Sequence, residues 1–332
     1  MPIRNIGAIN RLFTQAKVAD IVSTLPKPTT PLTDMLFPAS KRVQKASPFV
    51  SMADIQEVTG AVPLVTRDGK SVPVDAQSTR HNLIEVDPIK VSRFASARDI
   101  NDMISLGDTE SLEAYAREII ENLRNRVSVT TETMVRQAMS GKIEYPYYAE
   151  NGVSAGKCEI DLGNPNSLSA VTLNAQANLG TLQKVFEALL TEHQQKAGAT
   201  GTPVFLLGSD VYDKVVTIVT SVQNAPVLWT PDGMKLFGKY DIRTIAMTYT
   251  LPGSKNAVPV IGAKKIRIVD LSNTGKLIYA SLDDIDAKFA PLPFYAKPIE
   301  TKDPDGIKFV GEAKPLPALA MKSQSEATAT IA

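Results

Sequence analysis

One stretch, Asp108 to Ser140 closed by Gly141, constrains the fold more than any other. Leu112, Ala116, Ile119, Leu123, Val127, Thr130, Met134 and Ala138 recur in steps of three and four, which puts them on a single stripe of an α-helix. Asp108 or Thr109 can cap the start, Glu110 and Glu113 suit the positive first turns, and Gly141 suits the left-handed position after the last one. Glu113 and Arg117 stand at the i,i+4 spacing of a surface ion pair. At 1.5 Å per residue the helix runs to about 50 Å, far beyond the common three turns. A helix of that length needs something equally long to lie on. It reads as a spine.

The totals exclude several classes. With 332 residues the chain can bury a large core, and 43% hydrophobic with 21% charged residues describes an ordinary globular protein. Lys plus Arg number 36 against 35 Asp plus Glu, so the net charge of +1 gives no sign of a nucleic-acid-binding surface. A single cysteine, Cys158, excludes an intramolecular disulfide and a multi-cysteine metal cage. Met1 to Asp20 carries Ile3, Ile6, Ile9, Leu12 and Phe13 but lacks the unbroken apolar core of a signal peptide, and no apolar run reaches about 18 residues. The expectation is a chain made and assembled in the cytosol of its producing cell, with no membrane partner.

In chain order, residues 1–34 read as an arm, either a frayed terminus or a segment lying on another surface that covers its Ile, Leu and Phe. A short helix, Asn10 to Val22, gives way to Pro26, Pro28 and Pro31, which favour an extended path. Phe37 to Arg98 contains Asp68-Gly69 between the β-favouring runs Val62–Val65 and Ser71–Val74, the strongest hairpin signal in the chain, followed by alternating Leu83, Glu85, Asp87 and then Ile89, Val91. These strands have no core of their own and predict a flap that packs on another surface. Leu182–Lys196 and a segment from Gly208 through Thr220 read as helices. Pro203–Leu207, Asp241–Thr248, Val258–Ile261, Lys265–Val269, Lys276–Ala280 and Phe289–Pro298 read as strands. Thr301–Gly306 is a turn, and Ile307–Ala320, with Pro315 and Pro317, predicts an edge rather than a central strand. Ser323–Ala332 is small and polar and reads as disordered.

No catalytic constellation stands out. Phe205 to Asp210, a strand running into Gly208-Ser209-Asp210, could hold a phosphate on backbone N–H groups, but it lacks the dinucleotide fingerprint and the P-loop Gly-Lys-Ser/Thr; Ser209 or Asp210 as a plain N-cap is the simpler reading. His81 and His193 have no motif partners, and His193 reads as lying on a solvated helix end. Asp283, Asp284 and Asp286 lack the glycine and distal Glu of a calcium loop and read as a solvated face. No catalytic, cofactor-binding or metal residue is assigned, and no cofactor is expected.

Arm, flap, spine and a separate α/β lobe spend many residues on segments without a core, which makes sense when neighbouring copies supply it. Phe294-Tyr295-Ala296-Lys297-Pro298, Asp303-Pro304-Asp305-Gly306 and Ala313-Lys314-Pro315-Leu316-Pro317, with the opening Asp34-Met35-Leu36-Phe37-Pro38 and the strand-to-helix run Pro203–Tyr212, resemble a tailed-phage major capsid protein of the Hong Kong 97 fold, nearest the lambda major head protein family. The resemblance implies an α+β fold. Its parts are an N-terminal arm (1–34), a peripheral domain (35–150) with an extended β-hairpin loop (about 56–81) and spine helix (108–140), an α/β axial domain (151–273), a return through the peripheral domain (274–322) and a disordered tail (323–332). It further implies a structural, non-enzymatic subunit that self-assembles into hexamers and pentamers of an icosahedral shell around double-stranded DNA, bound without sequence specificity. A separate scaffolding protein, a portal and a decoration protein are the other implied partners. Inter-subunit contacts are assigned to the loop tip, Arg67, Asp68, Gly69 and Lys70, and to the arm residues Ile6, Ile9, Leu12 and Phe13. A lysine cross-link at Lys70 is not expected, because its Asn and Glu partners have no counterpart here. The alternatives are an encapsulin-like compartment shell and, from another class, an α/β enzyme binding phosphate or nucleotide at Gly208–Asp210.

Overall fold

The fold comes from a computed structural model that describes residues 14–51, 83–105, 109–147, 156–198 and 201–331. Its longest element is α4, Thr109–Ala138, about 45 Å at the standard rise. Leu112, Ala116, Ile119, Leu123 and Val127 face one hydrophobic core, and Met134, Ala138 and Met139 face a second. The helix therefore bridges two cores, which explains its length. Toward its C-terminal end the buried set widens to include Thr131, Glu132, Val135 and Gln137, so the stripe becomes a nearly all-round burial. Gly141, at φ +91°, follows the last turn, where a Cβ would sit 2.1 Å from the Gly163 carbonyl oxygen.

The N-terminal core is roofed by an antiparallel sheet, β17 (Tyr295–Lys302), β18 (Asp305–Ala313) and β4 (Ile89–Ser96), with β18 in the middle. The edge role expected for Ile307–Ala320 is thus corrected for its first half. The second half, β19 (Pro315–Leu319), does lie at an edge, of the sheet β1 (Arg42–Lys45), β16 (Gly275–Ala280), β19, where prolines with no N–H are tolerated. Phe289 lies in a turn, and the strand expected from that residue begins only at Tyr295.

The second lobe is an eight-stranded sheet in the order β10 (Val227–Thr230), β11 (Gly233–Leu236), β12 (Tyr240–Thr244), β9 (Pro203–Leu207), β15 (Lys265–Asp270), β20 (Gln324–Ile331) and β7 (Asn166–Ser167), with β8 (Val171–Leu173) also on β20. Alternation sorts its two faces. Phe205 and Leu207 of β9 pack with α5 (Leu179–Ala197) and α6 (Ser209–Thr220), while Val204 and Leu206 pack toward the spine's end. Arg267 of β15 points to the spine side, nearly buried. Its Nη1 donates to the Met139 carbonyl (2.8 Å) just past the last turn of α4, and its Nη2 pairs with Glu326 of β20 at 2.5 Å. A buried guanidinium at a helix C-terminus meets both the orphan carbonyls and the negative end of the helix dipole.

One expectation about the chain ends is overturned, and the other is given its supporting surface. Residues 324–331 are not a disordered tail but a strand paired with β15, β7 and β8, so the second lobe draws on the C-terminus as well as on residues 156–270. Residues 14–34 lie on the spine, the kind of surface that an arm with apolar residues calls for. Helix α1 (Gln15–Thr24) buries Val18 and Ile21 against the spine, and residues 10–13 of the expected helix lie outside the described residues. Lys17 pairs with Glu113 at 2.8 Å, Arg117 donates to the Thr24 carbonyl (3.1 Å), and Arg124 donates to that of Leu25 (3.2 Å). Glu113 and Arg117 thus serve α1 rather than each other. Helix α2 (Pro31–Leu36) is capped from the spine: Glu132 accepts from the Leu32 and Thr33 amides at 3.1 and 2.9 Å and from the Thr33 hydroxyl at 2.6 Å.

Candidate assembly surfaces

The flap segment begins and ends on one strand pair. β2 (Phe49–Ser51) and β3 (Leu83–Glu85) pair antiparallel, Phe49 with Glu85 and Ser51 with Leu83, so these four residues share a face. Val50, between them, points into the core with Val86. The shared face leaves Phe49 41% and Leu83 61% exposed, an apolar surface where alternation should put polar groups outward. Beside it the Tyr147 hydroxyl donates to Asp87 at 2.8 Å. Cys158 is half-buried, and burial followed by Asp87 pushes its thiol up to about 12, which favours the neutral thiol. The loop-tip residues Arg67, Asp68, Gly69 and Lys70, the arm residues Ile6, Ile9, Leu12 and Phe13, and His81 lie outside the described residues.

A second exposed apolar run lies on β10, the outer strand of the large sheet, where Leu228 and Trp229 face solvent. Next to Trp229 a groove of about 580 Å³ opens between α2 and the β11–β12 edge, lined by Met35, Pro231, Asp232 and Arg243 among others.

The phosphate-like corner is closed. The N-cap of α6 is Gly208, not Ser209 or Asp210, and Ser209 spends its hydroxyl on the Asp210 carboxylate. The amides of Asp210 and Val211 donate to the Ala263 carbonyl at 3.2 and 3.4 Å, and that of Gly208 donates to Lys265. A Cβ on residue 208 would stand 2.1 Å from the Gly262 carbonyl oxygen, so the glycine serves close packing of two backbones. With the Asp210 and Val211 amides spent on a carbonyl, this helix start lacks the cluster of free donors that a phosphate needs.

His193 is buried rather than solvated. Its Nδ1 meets the Ser325 hydroxyl at 2.8 Å, and burial lowers its pKa against a smaller opposite pull from Asp270. The aspartates expected to form a solvated face are ion-paired: Asp283 with Lys314, Asp284 and Asp286 with Lys297. Among the described residues no group of His, Cys, Asp and Glu side chains is arranged to hold a metal ion, and no helix is long and apolar enough to cross a membrane.

The chain that folds into this bridging spine, three-stranded roof and large mixed sheet, the last drawn from the middle and the C-terminal end of the chain, matches a known protein family. The family model for phage major capsid protein E matches residues 14–327. This chain belongs to the phage major capsid protein family. Its role is structural, and its place is the shell of the virion. The family's Hong Kong 97-type fold also appears in a crystal structure of a prophage protein from E. coli CFT073, described as a capsid protein. It superposes with TM-score 0.63 at 13% identity over 96% of this chain and 99% of that one. A phage-related protein from Bordetella bronchiseptica RB50 (TM-score 0.47, 10% identity, 95% and 96% covered) and a virus-like particle from Pyrococcus furiosus (0.43, 11%, 93% and 95%) superpose too loosely to build on. No curated protein sequence matches the chain.

Sequence reasoning missed β20 and the bracing of residues 14–37. The signal for the strand was present: Ser325, Ala327 and Ala329 alternate with Glu326, Thr328 and Thr330.

Proposed function

We propose that this major capsid protein is a non-enzymatic subunit whose copies form hexamers and pentamers of an icosahedral shell around double-stranded DNA. The large-sheet lobe takes the axial position, and the spine with its roof takes the peripheral one. The observation that supports this reading is the apolar face at the flap root. Phe49 and Leu83 stay uncovered by their own subunit, and burial of a Phe or Leu side chain contributes roughly 2 kcal/mol when a neighbour supplies the cover. The flap between them, with Arg67 to Lys70 at its tip, and the segment bearing Ile6, Ile9, Leu12 and Phe13 reach neighbouring copies. A separate scaffold, a portal and a decoration protein complete the partners, and DNA is held without sequence preference. The narrower kinship to the lambda head protein rests on the run from Phe294 to Pro317.

Deletion of Thr59 to Ser78 tests the reading. The expected product is a folded subunit, melting close to wild type, that yields no shells by negative-stain microscopy. Normal shells from the deletion would end the flap's role. Reversing Arg67 and Lys70 should weaken assembly most at low salt, where exposed ion pairs are least screened.

A further inference from the structure

The segment between β16 and β17 folds into a rigid loop that shows its apolar side chains to solvent. Asp284 organises it. Its carboxylate accepts from the Asp286 and Ala287 amides at 2.9 and 3.2 Å and pairs with Lys297 at 2.8 Å. Burial raises the Asp284 carboxyl, but Lys297 and the two amides pull it below the usual range, so it is a fixed anion. The backbone closes on itself through Lys288 N to Ile285 O (2.9 Å) and Phe289 N to Asp284 O (3.1 Å). Gln15 Nε2 ties it to α1, donating to the Asp286 carbonyl (3.0 Å) and the Tyr295 hydroxyl (2.8 Å).

This bracing holds an unfavourable presentation. Ile285 is 81% and Phe289 57% exposed, while Lys288 and Phe289 are consecutive left-handed residues at φ +54° and +56°. Neither has glycine's freedom, and an aromatic residue in that region is unusual. Within its own subunit Phe289 gains little cover for the strain.

We infer that the Ile285–Phe289 loop is a contact on which a second copy of this chain seats in the shell. Three observations select a copy as the occupant. The family builds its shell from this subunit. Gln15 places the loop where residues 1–13, the proposed crossing segment, leave the described fold. And two side chains of this kind offer on the order of 250 Å², far below the roughly 1,200 Å² that a stable pair needs, so the loop suits one of many contacts in a lattice.

The inference rests on the assembly reading, and the experiment separates the two. Wild type, Lys288→Gly, Phe289→Gly and Ile285→Ser are expressed with the remaining head proteins of the phage. Particle yield is measured by sedimentation, and the subunit's Tm by calorimetry. All three variants should melt at or slightly above wild type, because the changed side chains are exposed and glycine relieves the left-handed backbone. Lys288→Gly should assemble like wild type, since it keeps both apolar groups. Phe289→Gly and Ile285→Ser should lose at least tenfold in particle yield. Wild-type yield from Phe289→Gly and Ile285→Ser would overturn the contact, as would a fall of more than about 5 °C in their Tm, which would make the pair part of the subunit's own core. No particles from wild type would overturn the assembly reading itself.

Discussion

The two ends of the described chain are held in opposite ways. Residues 14–37 lie on the outside of the spine, fixed by side chains that reach out from it: Glu113 to Lys17, Arg117 and Arg124 to backbone carbonyls, and Glu132 to the start of α2. Residues 324–331 are built into the large sheet, with β15 on one side and β7 and β8 on the other. One end is a strap along the spine that lends side chains such as Val18, Leu36 and Phe37 to two cores while its backbone pairs with no central strand. The other is itself a strand of the large sheet, buried through Ser325, Ala327 and Ala329. Polar attachment to a helix can be lost piece by piece, whereas a missing inner strand strips hydrogen bonds from its neighbours and uncovers α5 together.

Two truncations give the largest contrast. A chain ending at Ser323 should fail to fold, with no cooperative transition in circular dichroism, because β15 becomes an open edge and the apolar face of α5 loses its floor. A chain starting at Thr29 loses the burial of Val18, Ile21 and Leu25, each worth roughly 2 kcal/mol, and should still melt cooperatively at a lower Tm. Equal damage from the two would break the comparison.

The sequence spoke clearly where one pattern dominated. The spine appeared in its three-and-four spacing, and β9 appeared as a short apolar run, because burial on both faces leaves few polar residues to blur the signal, while β15 showed the β-branched Ile266, Ile268 and Val269 among charges. The C-terminal strand stayed hidden because small residues suffice beneath a closely packed helix. Gln-Ser-Glu-Ala-Thr-Ala-Thr has the composition of a tail and the alternation of a strand. The strap stayed hidden because its fixings are long-range hydrogen bonds from Arg117, Arg124 and Glu132, which no local window contains. The aspartates in and beside the Ile285–Phe289 loop read as a solvated face, and Asp283 and Asp286 are exposed; Asp284 is drawn in by Lys297 of a strand that no local window contains.

Glu132 sharpens the contrast at intermediate size. Its carboxylate is almost fully buried and serves two amides, a hydroxyl and, at 3.3 Å, Arg136. Glu132→Ala leaves the first turn of α2 unsatisfied and Arg136 unpaired, an expected loss of roughly 3 kcal/mol by denaturant titration. Glu132→Gln keeps one acceptor and should lose about half as much. A loss near zero for the alanine variant would mean that the strap is held by its apolar residues alone.

The smallest effect lies where the C-terminal strand meets α5. His193 faces Ser325 of β20 through Nδ1, with Asp270 of β15 as the charged neighbour, and its pKa is lowered in the fold chiefly by burial. The unfolded chain therefore takes up a proton near pH 6.5 while the folded chain still refuses it. Stability from this group is complete above pH 6.5 and falls as the pH drops from there toward the folded value, by at most about 1.4 kcal/mol per pH unit for one proton. In a His81→Gln background, where His193 is the sole imidazole, Tm should decline between pH 7 and 5. His193→Gln should flatten that decline while leaving α1 and α2 untouched. If the decline persists without His193, the pH dependence between 7 and 5 does not come from the contact of the inner strand with α5.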